Sequence, residues 1–222
     1  HCKPSICIDF DFLKRVIAYS WLPMLTSALI TINYSVDIFF LKHLGVAEQL
    51  SLYTTAAGII NYVWLIPDAF KEVLVSKVAR TNQIKPVNRA LQFSIICVTI
   101  ICVGFVVLGK AFIRVLYGEE FVPSYGITLI LMIGCFSMVF YKIIGVLMLA
   151  EGRRLFYFLV LLSSAIINVV GNIQLVPLYG MYGAAWMSVA SYGLCGAAFL
   201  VYYMKIKKVK LRDLLDVRGA VK

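Results

Sequence analysis

The sequence predicts an all-α fold, a polytopic membrane bundle of six transmembrane helices, and three observations carry that prediction. Hydrophobic residues make up 62% of the 222 residues and charged residues only 14%, whereas a soluble domain carries about 25% charged residues. The apolar stretches are about 20 residues long, which is the length that crosses the hydrocarbon core of a bilayer. They recur as far as the C-terminus, which a signal peptide does not explain, and they are continuous rather than alternating, unlike the strands of a membrane β-barrel.

Six apolar segments can be placed along the chain. They cover about residues 16–41, 52–75, 91–108, 125–149, 155–176 and 181–204. We therefore expect a six-span membrane unit at 16–204, preceded by a cytoplasmic segment at 1–15 and followed by a basic cytoplasmic tail at 205–222.

The basic residues predict the orientation of the spans. The chain has 21 Lys and Arg against 11 Asp and Glu, a net charge of +10. Most of them precede span one, lie near the links between spans two and three and between four and five, or follow span six. Only Lys42, Lys110 and Arg114 lie in the other links. Because cytoplasmic loops carry the excess of Lys and Arg, we expect both termini to be cytoplasmic.

This basic collar also indicates partners. Clustered Lys and Arg next to membrane spans suit the head groups of anionic membrane lipids. The tail "KIKKVKLRDLLDVR" is short, abuts a span and has no nucleic-acid-binding motif beside it, so no nucleic-acid partner is expected.

Small residues dominate the uncharged stretch 175–199. Between helices in lipid, small side chains let two backbones approach closely, whereas burying Leu gains little. The predicted helix-packing positions are Gly180, Gly183, Ala184 and Ser188. Pro177 ends a helix and the following link is very short, so spans five and six are predicted to form an antiparallel hairpin.

Polar side chains inside a span are costly and are functional candidates by default. The candidates for a substrate or ion pathway are Asn33, Asp37, Lys142, Asn168 and Asn172. Asp37 is interpreted as an ion or proton site or as a contact to sugar hydroxyls; alternatively it is a hydrated carboxylate near the interface, paired with Lys42. Lys142 either attracts a phosphate into a central cavity or extends its stem to the lipid head groups. The asparagines either bind sugar hydroxyls or bond helix to helix.

Three other acidic residues lie near the ends of predicted spans. Asp68 is interpreted as a hydrated charge at the inner end of span two. Glu119 and Glu120 precede Pro123 at a predicted helix start, where their negative charges interact favourably with the helix dipole. As sequence neighbours with no third group, they do not indicate a glycosidase pair.

Neither a catalytic residue nor a cofactor nor a metal site is predicted. His1, Cys2 and Cys7 lack a fourth ligand and a standard zinc spacing. The phosphate-binding motif G-x-x-x-x-G-K-[ST] and the nucleophile motif G-x-S-x-G are absent from the sequence. The chain is therefore not expected to be an enzyme.

Three segments resemble motifs of one transporter family. They are "INYSVDIFFLKHLGVAEQLSLYTTAAGI", "VLYGEEFVPSYGITLILM" and "NVVGNIQLVPLYGMYGAAWMSVASY". In the last segment the matching positions are Asn168, Asn172, Pro177, Tyr179, Gly180, Gly183, Ala184 and Ala185. Together they resemble the polysaccharide transporter branch of the multidrug/oligosaccharidyl-lipid/polysaccharide superfamily, which includes O-antigen unit flippases, over nearly all of 13–205.

The resemblance implies a fold and a function. The chain would be the C-terminal lobe of a two-lobed flippase, a fragment whose missing N-terminal lobe is its first partner; a start at His1 fits that expectation. The function implied is translocation of undecaprenyl-linked oligosaccharide repeat units across the bacterial inner membrane for surface polysaccharide biosynthesis.

Three alternatives stay open at this point. They are a drug or cation exporter of the same superfamily, a membrane enzyme of cell-envelope glycan assembly, and a non-transporting scaffold. Since no ATP site is present, the driving force for transport is expected to be an ion gradient, the membrane potential or consumption of the glycan.

Overall fold

The computed structural model describes residues 10–44, 47–81 and 84–209, and these residues are helical apart from short connections. The elements are α1 (Phe10–Leu44), α2 (Ala47–Thr81), α3 (Lys85–Leu116), a 3₁₀ turn (Glu119–Phe121), α4 (Ser124–Ala150) and α5 (Arg154–Lys207). The described part of the chain contains no strand. The prediction of an all-α membrane bundle is confirmed.

Helix α5 is two helices joined at a sharp turn. Gly180 has φ +56° and ψ −134°, a conformation that glycine adopts without the steric cost of a Cβ. We call residues 154–179 the first arm and residues 181–207 the second arm. The Oγ atoms of Ser164 and Ser191 lie 2.7 Å apart, so the arms run side by side in opposite directions. This confirms the predicted hairpin and brings the number of α-helical segments in the described chain to six. The prediction that Pro177 ends the helix is wrong, because the first arm continues through Pro177 and the backbone leaves helical geometry at Gly180.

Four stretches are long and apolar enough to cross a membrane. They are Ser20–Leu44, Lys85–Leu116, Ser124–Ala150 and Arg154–Lys207, the last containing both arms. Helix α2, predicted as span two, is 35 residues long but is not among these four. Its second half carries Asp68, Lys71 and Glu72, which lower its apolar character. The chain is a multi-pass membrane protein.

The ends of the predicted membrane unit are helical beyond the predicted limits. Helix α1 begins at Phe10, inside the expected N-terminal segment, and α5 continues to Lys207, inside the expected tail. The remainder of those two segments, 1–9 and 210–222, lies outside the described residues, as do His1, Cys2 and Cys7.

Helix α4 is the centre of the bundle. It packs against α2, α3 and α5, while α1 packs mainly on α5. In α4, 67% of the most apolar stretch is buried, compared with 22%, 28% and 39% in the other three candidate spans. Polar side chains brought by α4 are therefore enclosed by protein.

The bundle has two ends, the turn end and the tail end. The turn end holds Gly180 and the links from α1 to α2 and from α3 to α4; there Gln49 Oε1 accepts a hydrogen bond from the Met181 N–H at 3.3 Å. The tail end holds the links from α2 to α3 and from α4 to α5, and the end of the second arm. There Tyr203 donates to Asn88 Oδ1 at 2.5 Å and Lys207 forms a salt bridge with Glu151.

Candidate functional site

The first polar centre is a hydrogen-bonded network between α1 and both arms of α5. Helical spacing aligns the side chains of this network, because residues four apart in sequence lie on the same face of a helix. Asn33 and Asp37 are four apart on α1, and Asn168 and Asn172 are four apart on the first arm. All of these side chains are at most 4% exposed. Four of the five predicted pathway residues thus meet inside the packed helices.

The Asp37 carboxylate is bound by neutral donors from three elements. Asn172 Nδ2 donates to Oδ1 at 2.8 Å, Tyr53 donates to Oδ2 at 2.7 Å, and Ser188 also donates to Oδ2. Asp37 is 2% exposed and Lys42 is exposed, so the alternative of a hydrated carboxylate paired with Lys42 is wrong. No salt bridge to Asp37 occurs within the described residues.

The asparagines extend this network along α1. Asn168 Nδ2 donates to Asn33 Oδ1 at 2.8 Å and to its backbone oxygen at 2.9 Å. Ser191 donates to Asn33 Oδ1 at 2.9 Å, and Asn33 Nδ2 donates to Ser164 Oγ at 3.1 Å. Together these bonds join α1 to both arms of α5.

One acceptor in this network has no partner. Asn172 Nδ2 donates to Asn168 Oδ1 at 2.7 Å and to Asp37, but Asn172 Oδ1 is buried without a hydrogen bond. Buried side-chain polar atoms are in large majority hydrogen-bonded. A free amide oxygen beside a buried carboxylate is therefore an arrangement able to receive a proton donor or a small cation.

The second polar centre is the ion pair between Lys142 on α4 and Asp68 on α2. The Lys142 side chain is 8% exposed, and its Nζ lies 2.5 Å from Asp68 Oδ2. The same Nζ lies 5.0 Å from the ring centroid of Trp64, within the range of a cation–π interaction. Helix α4 offers no acidic partner of its own. Asp68, interpreted from the sequence as a hydrated end charge, keeps 40% of its side chain exposed and is in addition the counter-charge of Lys142.

A cavity of about 250 Å³ opens beside Lys142 toward the tail end. It is lined by Lys71, Val75, Tyr141, Lys142, Gly145, Val146, Leu149, Ala150 and Tyr157. Tyr157 donates to Tyr141 Oη at 3.0 Å. Two ammonium groups and two phenols on an apolar wall make a surface that favours an anionic group.

Sequence reasoning missed several partners in these centres. Ser164 precedes Asn168 by one helical turn, so its place in the network had a sequence signal. Ser188 was predicted as a packing residue only. Tyr53 and Asp68 had no signal as partners, because each reaches its partner from another helix.

The remaining predicted residues have structural surroundings. A Cβ at Gly183 would lie 2.4 Å from the Leu175 carbonyl oxygen, and Ala184 and Ser188 are fully buried. Arg114 Nη2 binds Glu119 Oε1 at 2.7 Å, and this hydrogen bond lowers the pKa of Glu119 below its usual value. No group of three or more His, Cys, Asp or Glu side chains able to hold a metal occurs in 10–44, 47–81 or 84–209.

The chain matches one protein family over its first half. The sequence profile of the family described as "Polysaccharide biosynthesis protein" matches residues 1–125. No curated protein sequence matches the chain.

Solved structures share the fold. A lipid II flippase MurJ in an inward closed conformation has a TM-score of 0.78 and 15% identity, covering 98% of this chain and 48% of that one. A multidrug resistance MATE family transporter of the MOP superfamily, outward-facing, has a TM-score of 0.69 and 18% identity, covering 93% and 49%. A MOP superfamily transporter from Pyrococcus furiosus has a TM-score of 0.70 and 18% identity, with the same coverage. The chain therefore has the fold of one lobe and spans about half the length of these proteins.

Proposed function

This chain belongs to the polysaccharide biosynthesis protein family, whose profile matches more than half of it, and from that premise we propose that it is one lobe of a flippase for lipid-linked oligosaccharides. The proposed cargo is an undecaprenyl-linked repeat unit, such as that of O-antigen, and the proposed location is the bacterial inner membrane with both termini cytoplasmic. The fold shared with a protein named as a lipid II flippase supports this proposal. A second lobe, consistent with the half-length coverage, would complete the pathway.

The proposal rests on the buried Lys142–Asp68 ion pair and the cavity beside it. A buried cation in a membrane bundle is costly, and such residues mark substrate or ion paths. Asp68 compensates one positive charge, and Lys71 adds a second ammonium group to the cavity wall. Lysine suits phosphate as a point charge. We infer that the phosphate groups of the carrier lipid enter this cavity and replace the Asp68 carboxylate as the partner of the Lys142 ammonium group.

The same charges argue against the exporter alternative. Two of the similar structures are MATE proteins, one of them described as a multidrug resistance transporter, and an organic cation is the competing cargo. A cavity lined by Lys71 and Lys142, with Asp68 already paired, repels a cation and attracts an anion.

We also infer that the Asp37 network binds the ion that drives transport, a proton or a small monovalent cation. The carboxylate has only neutral donors, and Asn172 Oδ1 offers a free acceptor next to it. Because the network joins α1 to both arms of α5, a change in its occupancy would change how these helices pack. That coupling would link an ion gradient to movement of the lobe.

Reconstitution of the full-length protein in liposomes tests the phosphate site. The measured quantity is the rate at which a fluorescent lipid-linked oligosaccharide becomes accessible to an external lectin. We expect Lys142→Gln to abolish this rate and Lys110→Gln, an exposed cation at the turn end, to leave it unchanged. The exchanged pair Asp68→Lys with Lys142→Asp restores the ion pair while moving the cation. Recovery of full transport in the exchanged pair would show that Lys142 has only a structural role.

Ion coupling is tested in the same liposomes with imposed proton or sodium gradients. Asp37→Asn keeps the shape of the side chain and removes the charge, so we expect transport to continue slowly and to lose its dependence on the gradient. Ser163→Ala, an exposed position on the first arm, serves as control. Unchanged acceleration by the gradient in Asp37→Asn contradicts the coupling role.

A further inference from the structure

A cleft between α2 and α3 at the tail end has no role in the function proposed above. Its volume is about 360 Å³, and its lining residues are Phe70, Val73, Leu74, Lys77, Lys85, Pro86, Arg89, Ala90 and Phe93. The rings of Phe70 and Phe93 stack across it with centroids 6.4 Å apart and an angle of 13° between planes. Leu74 and Ala90 are buried, at 3% and 5% exposure. The inner part of the cleft is therefore apolar.

The outer part of the cleft is cationic. Lys77 lies two turns beyond Phe70 on α2, about 10 Å along the axis, and Lys85 and Arg89 face it from the start of α3. The described lining residues include no carboxylate. Neither Lys85 nor Arg89 forms a salt bridge within the described chain. The cleft thus combines a mouth that holds two basic side chains without a salt bridge, Lys85 and Arg89, with an apolar interior.

The first turn of α3 adds an independent preference for an anion. Its N-cap residue, Ile84, provides no side-chain hydrogen bond, and the first turn contains no acidic residue. The first N–H groups of a helix have no partner within the helix, and cations such as Lys85 oppose the dipole at this end. Pro86 has no N–H to offer at this end, so an anion held in the mouth chiefly offsets the basic side chains.

We propose that this cleft is a binding site for one anionic phospholipid. The phosphate lies in the mouth with Lys85 and Arg89, and an acyl chain runs inward over the stacked rings of Phe70 and Phe93. A second cavity, of about 350 Å³ and almost wholly apolar, lies further along the same pair of helices, with Tyr62 and Gly104 among its lining residues. A negatively charged head on a hydrocarbon tail is the partner that matches this order of charge and apolar surface.

The experiment is lipid titration of the full-length protein followed by native mass spectrometry. The probes are dioleoyl phosphatidylglycerol and dioleoyl phosphatidylcholine, which share their acyl chains and differ in net charge. We expect the Lys85→Gln/Arg89→Gln variant to bind its first molecule of phosphatidylglycerol roughly thirtyfold more weakly than the unsubstituted protein does. Its affinity for phosphatidylcholine should not change. Lys205→Gln/Lys208→Gln removes two exposed cations from the same end outside the cleft and should change neither affinity by more than about twofold.

Two further measurements test the apolar part of the cleft and the need for an acyl chain. Ala90→Trp fills the apolar floor and should weaken phosphatidylglycerol binding in a variant that elutes as a single species. Inorganic phosphate at millimolar concentration should not displace the lipid, because it has no apolar part. Equal phosphatidylglycerol affinity in the cleft variant and in the Lys205/Lys208 control, or displacement of the lipid by inorganic phosphate, would overturn the proposal.

Discussion

Gly196 lies at a close approach of the second arm of α5 to α4. A Cβ placed at Gly196 would lie 2.4 Å from the carbonyl oxygen of Ser137 and 2.7 Å from its Cα. These are backbone atoms of the most buried helix in the bundle, so no side-chain rotation relieves the overlap. Gly193, three residues earlier on the same arm, has no atom within 4 Å of the corresponding position. The two glycines therefore form a matched pair for substitution by alanine.

The expected magnitude follows from two opposing terms. Replacing glycine by alanine in a helix interior gains about 1 kcal/mol of helix propensity, and this gain is the same at both positions. Overpacking in a tight core costs about 1–3 kcal/mol, and only Gly196 incurs it. Gly193→Ala should raise the free energy of unfolding, and Gly196→Ala should lie below Gly193→Ala by the overpacking term of about 1–3 kcal/mol.

The assay is unfolding of the purified protein in mixed micelles as the fraction of denaturing detergent rises, followed by far-ultraviolet circular dichroism. Comparison of the two variants removes the propensity term, so the difference between their midpoints reports the contact with Ser137. Gly196→Ala as stable as Gly193→Ala would refute the close packing of α4 on the second arm.

Three further outcomes are expected. Gly180→Ala should cost about 1–3 kcal/mol in the same assay, because φ +56° with ψ −134° is a conformation that residues with a Cβ rarely adopt. Gln49→Ala should recover only the part due to the overlap of the new Cβ with Gln49 Oε1; complete recovery would contradict backbone strain. Tyr53→Phe removes a donor from a buried carboxylate and should cost about 1–3 kcal/mol, and additivity with Asp37→Asn in a double-mutant cycle would contradict their hydrogen bond. The lowered pKa of Glu119 contributes stability that is present at neutral pH and is lost as pH falls below 4.5, so wild type and Glu119→Gln should differ at pH 7 and converge in acid; a difference that persists in acid would contradict the ion pair.

The two polar centres lie in different helix interfaces. The Asp37 network joins α1 to α5, whereas the Lys142 pair joins α4 to α2. Tyr34 contacts the ring of Trp64, with centroids 5.1 Å apart, and Trp64 in turn lies under the Lys142 ammonium group. Because Tyr34 lies on α1 between Asn33 and Asp37, a shift of α1 would displace the Trp64 ring beside the Lys142 ammonium group. Tyr192, next to Ser191 on the second arm, contacts the same Trp64 ring with centroids 5.6 Å apart, so aromatic contacts from two helices link the proposed ion site to the proposed phosphate site.

Features that depend on local spacing could be predicted from the amino-acid sequence. Apolar length predicted the four stretches that can cross a membrane, and the Pro177–Gly180 segment predicted the hairpin. Placing Asn168 and Asn172 four residues apart put them on one face of a helix, as it did for Asn33 and Asp37. These features are set within a few turns, because helix periodicity and turn stereochemistry involve only neighbouring residues.

The contacts between polar groups of different helices became visible only in the tertiary structure. Lys142 and Asp68 are 74 residues apart in sequence, and Tyr53 reaches Asp37 from a separate helix. Nothing in the spacing within either helix specifies these pairs, because each depends on the rotation and depth at which two helices pack. In a membrane bundle, small residues at the contacts allow the close approach of helices on which that rotation and depth depend.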